Sequence, residues 1–370
     1  QTPHMDALAR TGLCAMVKTI PDGFPPGSDI GNLSLLGYDP SQNFSGRAPL
    51  EAANMGVILA NDEVAFRCNL VTLQDGRMRD YSAGHISSGE AEHIISVLNK
   101  NLSGPRIKFY PGKSYRHLLV SKVDDVPGVL KIQTRPPHDI LDAAVQDHLP
   151  QGAGSEILLD LMKRANQLLK DHPVNVDRIK RGELPVTDIW FWGQGSKPQF
   201  QAFKEKFGLS GSMISAVDLV NGIGRLTGLD VITVPGATGY YDTDYAAKAR
   251  YGLESLEQKD FVYIHVESPD EAGHNGDYKE KVRAIEAIDK DIVAAIIEWG
   301  KTHPDYRLLI APDHPTPVKK RTHTRAPVCF VMSGKGIDTN GISSYQEQSA
   351  EAGGLKFTSG ADMVSFFLKS

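Results

Sequence analysis

Apolar positions along this chain follow two alternating rhythms. Short, nearly continuous apolar runs read as strands over Val64–Thr72, Tyr115–Val120, Val129–Gln133, Asp188–Trp192, Met213–Val217, Val231–Val234, Phe261–Val266, Arg307–Ala311 and Val328–Met332. Between them, apolar residues three and four apart predict helices over Asp29–Leu36, Gly89–Asn101, Ser155–Leu169, Lys197–Phe207, Thr243–Leu256, Tyr278–Lys301 and Ala361–Leu368. Alternation of the two kinds is the signature of an α/β fold. Thr2-Pro3, then Met5, Leu8 and Leu13, reads as a helix start. An open α/β fold normally enters such a helix from a strand, so this reading expects a segment upstream of Gln1.

The middle of the chain is punctuated by Pro105, Pro111-Gly112, Pro127-Gly128 and Pro136-Pro137, yet carries its own strand and helix patterns. That predicts an inserted domain over 62–184, with a core made of 1–61 and 185–370.

Composition narrows the function classes. With 370 residues, 41% hydrophobic, the chain can bury a large core. A net charge of −5 with 23% charged residues argues against a nucleic-acid surface. No apolar run approaches the roughly 20 residues of a membrane span. Cys14, Cys68 and Cys329 are odd in number and far apart, which predicts reduced thiols in a cytoplasmic protein.

The chemistry-bearing residues gather late in the chain. Asp270-Glu-Ala-Gly-His274 and Asp313-His314 each follow a strand-like run, and His323 comes shortly after. Strand ends are where ligands collect in open α/β sheets. One Asp-His dipeptide alone would read as a cap or a surface pair. Three imidazoles and two carboxylates at successive strand ends point to a pair of divalent metals, with mixed donors suiting Zn, Mn or Fe over Ca. Such a centre needs a nucleophile. Ser28, in Pro25-Pro-Gly-Ser28-Asp29, precedes an apolar helix whose amides favour negative charge, although alone it would read as an N-cap.

The segments PPGSDIGNLSLLGYDP, SGRAPLEA, VAFRCNLVT, SAGHIS, SYRHLL, PPHDI, WFWGQG, VPGATGYYDTDY, HVESPDEAGHNGD and APDHPTPVKKRTH together resemble the archaeal-type cofactor-independent phosphoglycerate mutases. That group belongs to the alkaline phosphatase superfamily. The resemblance implies an alkaline-phosphatase-like α/β core, its central sheet flanked by helices, split by a smaller α/β substrate-binding insertion. It implies interconversion of 3- and 2-phosphoglycerate through a phosphoserine at Ser28. Two divalent ions (Mn, Zn or Mg) would serve, without 2,3-bisphosphoglycerate or a nucleotide. By the same resemblance, Asp270, His274 and His323 bind one metal, while Asp313, His314 and Ser28 bind the other. The family's further aspartate, in an Asp-Gly segment ending its first strand, has no counterpart in this sequence.

A phosphoglycerate needs fixed cationic donors. Resemblance and charge point to Arg67, Arg116 and His117, with Asn69 as a hydrogen-bonding partner and Arg47, His138 and Asp139 as further candidates. His85 is the candidate general acid or base. Gly193-Gln-Gly195 and Val234–Gly239 are weak phosphate-loop patterns, and Lys248 reads as a solvated helix lysine. The expected partner is a small phosphorylated hydroxy acid, with no nucleic acid or membrane, and a homo-oligomer is left open. The rivals are a homoserine-kinase-like branch of the same family, to which TIPDGFPPGSD and DYSAGHISSGEA are closer, a phosphatase, and a non-catalytic binding homologue. A homoserine pocket would need an acidic group such as Glu267, Glu271 or Asp139.

Overall fold

A computed structural model describes residues 1–105, 107–125 and 128–369, so Pro127 of the Pro127-Gly128 pair lies outside the described residues. The chain divides into two compact units, one made of Gln1–Phe44 with Gln199–Ser370 and the other of Ser45–Pro198. Both mix helices and strands, as the alternating pattern requires.

Among the described residues the first unit holds two sheets. Three parallel strands, Asp230–Ile232, Gly211–Ile214 and Phe261–Ile264, lie side by side with Gly211–Ile214 in the centre. In the other sheet Val328–Gly334 runs antiparallel to both Arg307–Ile310 and Leu13–Val17, and Lys356–Phe357 adds a parallel edge. Leu13, expected in the opening helix, begins this strand, because the helix Pro3–Thr11 stops at the extended Gly12. Asp289 caps the start of that helix. It is buried and accepts from the amide of Met5 at 2.7 Å and of His4 at 3.3 Å, doing a cap's work from a distant part of the chain. Asp289 sits in a π-turn, Ile288–Val293, that interrupts the expected helix 278–301.

Phe261–Ile264 and Arg307–Ile310 are edge strands of their respective sheets. Both line a cavity of about 1320 Å³ that also reaches Asp270, Asp313 and His314.

In the second unit the strands described pair with one another antiparallel. Glu63–Gln74 lies between Arg116–Lys122 and Asp188–Ser196, with Arg77–Asp80 against its C-terminal end and Ile107–Tyr110 on the far side of Arg116–Lys122. Its near-continuous apolar sequence is explained by burial on both faces. One face packs in a core with Ile94 and Leu98 of the helix Ser88–Leu102 and Leu158 and Leu161 of Ser155–Leu169. The other packs Ala65 against Ala48 and Ala52 of the helix Arg47–Asn54. That helix and the strand Asp188–Ser196 make this unit wider at each end than the expected 62–184.

Some local expectations fail for identifiable reasons. Val129–Lys131 is a 3₁₀ turn, not a strand. Helix geometry near 200 is confined to Phe203–Phe207, because Pro198 interrupts the expected start. Gly193-Gln-Gly195 lies within a strand, where Gln194 Oε1 accepts from the Thr134 hydroxyl at 2.8 Å.

Candidate functional site

Ser28 opens the helix Ser28–Leu35, and its Oγ lies 3.1 Å from His314 Nε2. Gly31, one residue short of a turn later, allows this helix to reach Asp313. A Cβ there would lie 2.5 Å from the Asp313 carbonyl oxygen. Nucleophile candidate and Asp-His pair therefore meet although 285 residues separate Ser28 from Asp313.

Asp270 and His274 share one face of the helix Ser268–Asn275, four residues apart, with Asp270 Oδ2 at 3.2 Å from His274 Nε2. The expected placement directly at a strand end is thus refined: a short helix after Phe261–Ile264 carries both. Gly273 lets that helix press on the loop after Asp313, since a Cβ there would meet the Thr316 carbonyl oxygen at 2.5 Å. Thr316 completes the contact, its hydroxyl donating to Asp270 Oδ1.

The imidazoles are oriented by backbone carbonyls. His274 Nδ1 donates to Arg321 O at 3.1 Å, and His323 Nδ1 donates to Pro26 O at 3.2 Å. This leaves both Nε2 atoms as bare acceptors in the neutral rings, yet they face each other at 2.9 Å. Asp270 Oδ1 lies 3.4 Å from His323 Nε2. Opposed lone pairs beside a carboxylate repel unless a positive charge sits among them. A proton does this in part: the hydrogen bond that His274 donates to Asp270 lifts the His274 pKa to about 8. Burial would raise the Asp270 carboxyl, but hydrogen bonds from His274, His323 and Thr316 outweigh it and hold the group well below the usual carboxylate range.

His314 joins the same cluster. Its ring lies 4.0 Å from that of His323 between centroids, its Nε2 is 3.4 Å from Asp313 Oδ2, and burial pushes it toward the neutral form. Donor atoms of Asp270, His314 and His323 fall within 4.8 Å of one another. The two expected ligand sets are therefore contiguous, with His314 facing both. This donor set fits divalent ions with mixed nitrogen and oxygen coordination.

Behind the cluster Lys248, read from sequence as solvated, is fully buried and donates to the His265 carbonyl oxygen at 2.9 Å. His265 Nε2 lies 3.3 Å from Glu267 Oε2.

Three of the cationic candidates, Arg47, Arg67 and His138, gather in the second unit around a residue that the residue-by-residue reading did not single out, Trp192. Arg67 and Asn69 share a strand face through the two-residue period. The Arg67 guanidinium lies 4.2 Å from the Trp192 ring centre and that of Arg47 lies 5.7 Å from it. The His138 ring meets the indole edge-on at 5.3 Å, and Trp192 Nε1 donates to Asn69 Oδ1 at 3.0 Å. Glu51 is also new: its Oε2 lies 2.9 Å from Arg67 Nε and its Oε1 lies 3.5 Å from Arg47 Nε. Neither Nε finds an aligned hydrogen bond, so these are ion pairs with unspent donors. Burial pushes the Arg67 pKa down to about 10, against the pull of Glu51 and with Arg47 and Arg116 adding to it.

His117 does not belong with the cations. Buried on its strand, it accepts from the Gly112 amide at 3.0 Å through Nδ1, and burial lowers its pKa to about 3, so it is neutral. His85 is exposed in a left-handed backbone conformation, φ 51°, its amide donating to Ser82 Oγ. Arg116 stacks over Tyr115, and Asp139 is exposed beside His138.

Among the missed residues, Asn32 did carry a sequence signal, lying one turn after Ser28. Thr316 carried little beyond following His314 by two. The carbonyls of Pro26 and Arg321 carried none.

Comparison with known proteins gives these geometries a setting. A family profile described as 2,3-bisphosphoglycerate-independent phosphoglycerate mutase matches residues 9–175. A protein of that name from Methanosarcina acetivorans is 47% identical, spanning 100% of this chain and 93% of the relative. A solved protein from Pyrococcus horikoshii superposes with a TM-score of 0.81 at 29% identity, covering 100% of this chain and 89% of that one. The cofactor-independent phosphoglycerate mutase from Thermoplasma acidophilum shares the fold at a TM-score of 0.66 and 24% identity, over 100% and 91% of the two chains. The chain belongs to the 2,3-bisphosphoglycerate-independent phosphoglycerate mutase family.

Proposed function

We propose that this protein interconverts 3-phosphoglycerate and 2-phosphoglycerate, passing the phosphoryl group through Ser28, as a step of glycolysis and gluconeogenesis. The observation that carries the reading is Ser28 Oγ at 3.1 Å from His314 Nε2, beside the inward-facing Nε2 atoms of His274 and His323 and the Asp270 carboxylate. Family membership supports the substrate.

Asp270, His274 and His323 would hold one divalent ion, with Asp313, His314 and Ser28 holding a second. Bound there, such ions lower the pKa of a serine hydroxyl and offset charge on phosphoryl oxygens. In the first half-reaction Ser28 Oγ attacks phosphorus, the bond from phosphorus to the glycerate oxygen breaks, and that oxygen leaves as a hydroxyl after gaining a proton. In the second, the other glycerate hydroxyl attacks the phosphoserine, and the bond from phosphorus to Ser28 breaks. Held beside such an ion, Ser28 would shed its proton to solvent, and the helix N-terminus favours the negative charge that develops. Positioning and electrostatics supply most of the acceleration in such transfers.

Arg67, Arg47 and Arg116, with Asn69, are assigned to substrate anion recognition, since Arg47 and Arg67 retain unspent Nε donors and the three arginines together outweigh the charge of Glu51. His85 remains the assigned acid or base on the substrate side. The three cysteines are buried and unpaired, and among the described residues no helix is long and apolar enough to cross a membrane. Reduced thiols support a cytoplasmic setting.

The test is turnover of 3-phosphoglycerate with Mn²⁺, run against homoserine with ATP. Conversion to 2-phosphoglycerate that is lost in Ser28→Ala is expected. Activity confined to homoserine would overturn the reading.

A further inference from the structure

We propose that Asn32 is a positioning residue of this centre, its one amide fixing both the Asp313 carboxylate and the backbone of Ser28. The inference rests on the metal-assisted serine reading above.

Asn32 is fully buried one helical turn after Ser28. A buried primary amide must place two N–H groups and one oxygen. Nδ2 donates to the Ser28 carbonyl oxygen at 2.8 Å and to Asp313 Oδ2 at 2.9 Å. Oδ1 accepts from the Tyr263 hydroxyl at 2.8 Å. The direction of the amide follows from the first two contacts. The Ser28 carbonyl and the Asp313 carboxylate only accept, so both must face N–H groups, and the oxygen left over receives the Tyr263 hydroxyl, which burial keeps protonated. Both N–H groups are then committed to the carboxylate and the carbonyl. Turning the amide over would set its oxygen against two acceptors, the Asp313 carboxylate and the Ser28 carbonyl.

The remaining Asp313 contacts complete the picture. Oδ1 accepts from the His314 amide at 3.0 Å, so the carboxylate is gripped from both sides, and Asn32 is the grip that also reaches the nucleophile's helix. Tyr263 comes from the strand Phe261–Ile264, which leads into the helix bearing Asp270. One amide thus ties Ser28, Asp313 and that strand together. Outer partners of this kind orient ligands and typically shift metal affinity by about 10–100-fold.

The experiment titrates Mn²⁺ calorimetrically into the wild-type protein and into Asn32→Asp, Asn32→Ala and Tyr263→Phe, with melting temperatures and mutase kinetics alongside. Asn32→Asp keeps the shape and the acceptor for Tyr263 but faces Asp313 with a second carboxylate. Mn²⁺ affinity is expected to fall by about 10–100-fold. Tyr263→Phe keeps the ring and removes only the hydroxyl, and a fall of about threefold is expected. In both, kcat should drop while KM for phosphoglycerate stays within about twofold, a split that general loosening of the fold would not give. If Asn32→Asp does not fold, Tyr263→Phe decides. Folded variants with wild-type affinity and kcat would overturn the inference while leaving the metal reading intact. A wild-type protein that takes up no Mn²⁺ would overturn both.

Discussion

The two polar clusters of this protein solve opposite problems. The first unit gathers groups that repel one another: imidazole nitrogens facing at 2.9 Å, with the Asp270 carboxylate beside them. What holds them there is backbone, through the carbonyls of Arg321 and Pro26 and the close approaches allowed by Gly31 and Gly273. The second unit gathers arginines around one carboxylate and one indole on a paired antiparallel framework. There the charge is already present and the sheet pre-organises it. A site of the first kind depends on the cation it binds, whereas one of the second kind waits for an anion. Breaking each should therefore leave a different kinetic trace.

The largest effect is expected in the first cluster. Ser28→Ala removes the attacking oxygen, and kcat should fall by roughly 10⁴-fold or more while the fold persists. Phosphoprotein trapped from the wild type and absent from the variant is the accompanying measurement. Unchanged turnover would remove Ser28 from the chemistry. In the second cluster Arg67→Lys keeps the charge and loses the planar fork over Trp192. KM should rise by about 10–100-fold with kcat little changed. A loss confined to kcat would mean that Arg67 belongs with the reacting groups and that the contrast between the clusters is wrong.

How much of this contrast was legible in sequence follows from how each cluster is built. Asp270, His274, Asp313 and His314 announce themselves because metal-type donors recur at short spacing after strand-like runs. The α/β class was legible from the same alternation. The supports were not. The carbonyls of Pro26 and Arg321 belong to residues whose side chains play no part in those contacts, so no side-chain pattern reports them. Leu13 fitted the helical spacing of Met5 and Leu8, and only pairing with Met332 makes it a strand residue. His117 shows the reverse error. Its neighbour Arg116 and its strand context made it look cationic, but strand alternation turns it inward, where burial strips its charge. Trp192 read only as the end of a strand-like run: it is buried, and its face supports two guanidinium groups.

A smaller effect separates the two things Trp192 does. Trp192→Phe keeps an aromatic face under Arg67 and removes only the N–H that Asn69 accepts, so KM should rise by about threefold. Trp192→Leu removes the face as well, and a further rise of about threefold or more is expected from the lost cation–π contact. Equal KM values for the two variants would show that the indole face contributes nothing to Arg67 and that Asn69 alone matters.

The last effect concerns stability, not turnover, and returns to the first cluster's crowding of carboxylates. Burial, then the nearby Asp270, Asp313 and Glu271, raise the Glu267 pKa to about 8, against an ordinary value of 4.5. The folded protein therefore holds a proton between those values that the unfolded chain has released. Stability from this group is full below pH 4.5, declines as pH rises toward 8, and stays lost above it. Glu267→Gln removes the ionisation. Its melting temperature relative to the metal-free wild type should improve steadily from pH 5 to pH 8.5, by an amount worth about 4 kcal/mol across the range. Mn²⁺ bound at Asp270 and Asp313 would cancel their repulsion of Glu267 and flatten the wild-type curve. Parallel curves for the two metal-free proteins would show that Glu267 is ionised throughout. The first cluster would then already hold enough positive charge of its own, and its contrast with the second would weaken.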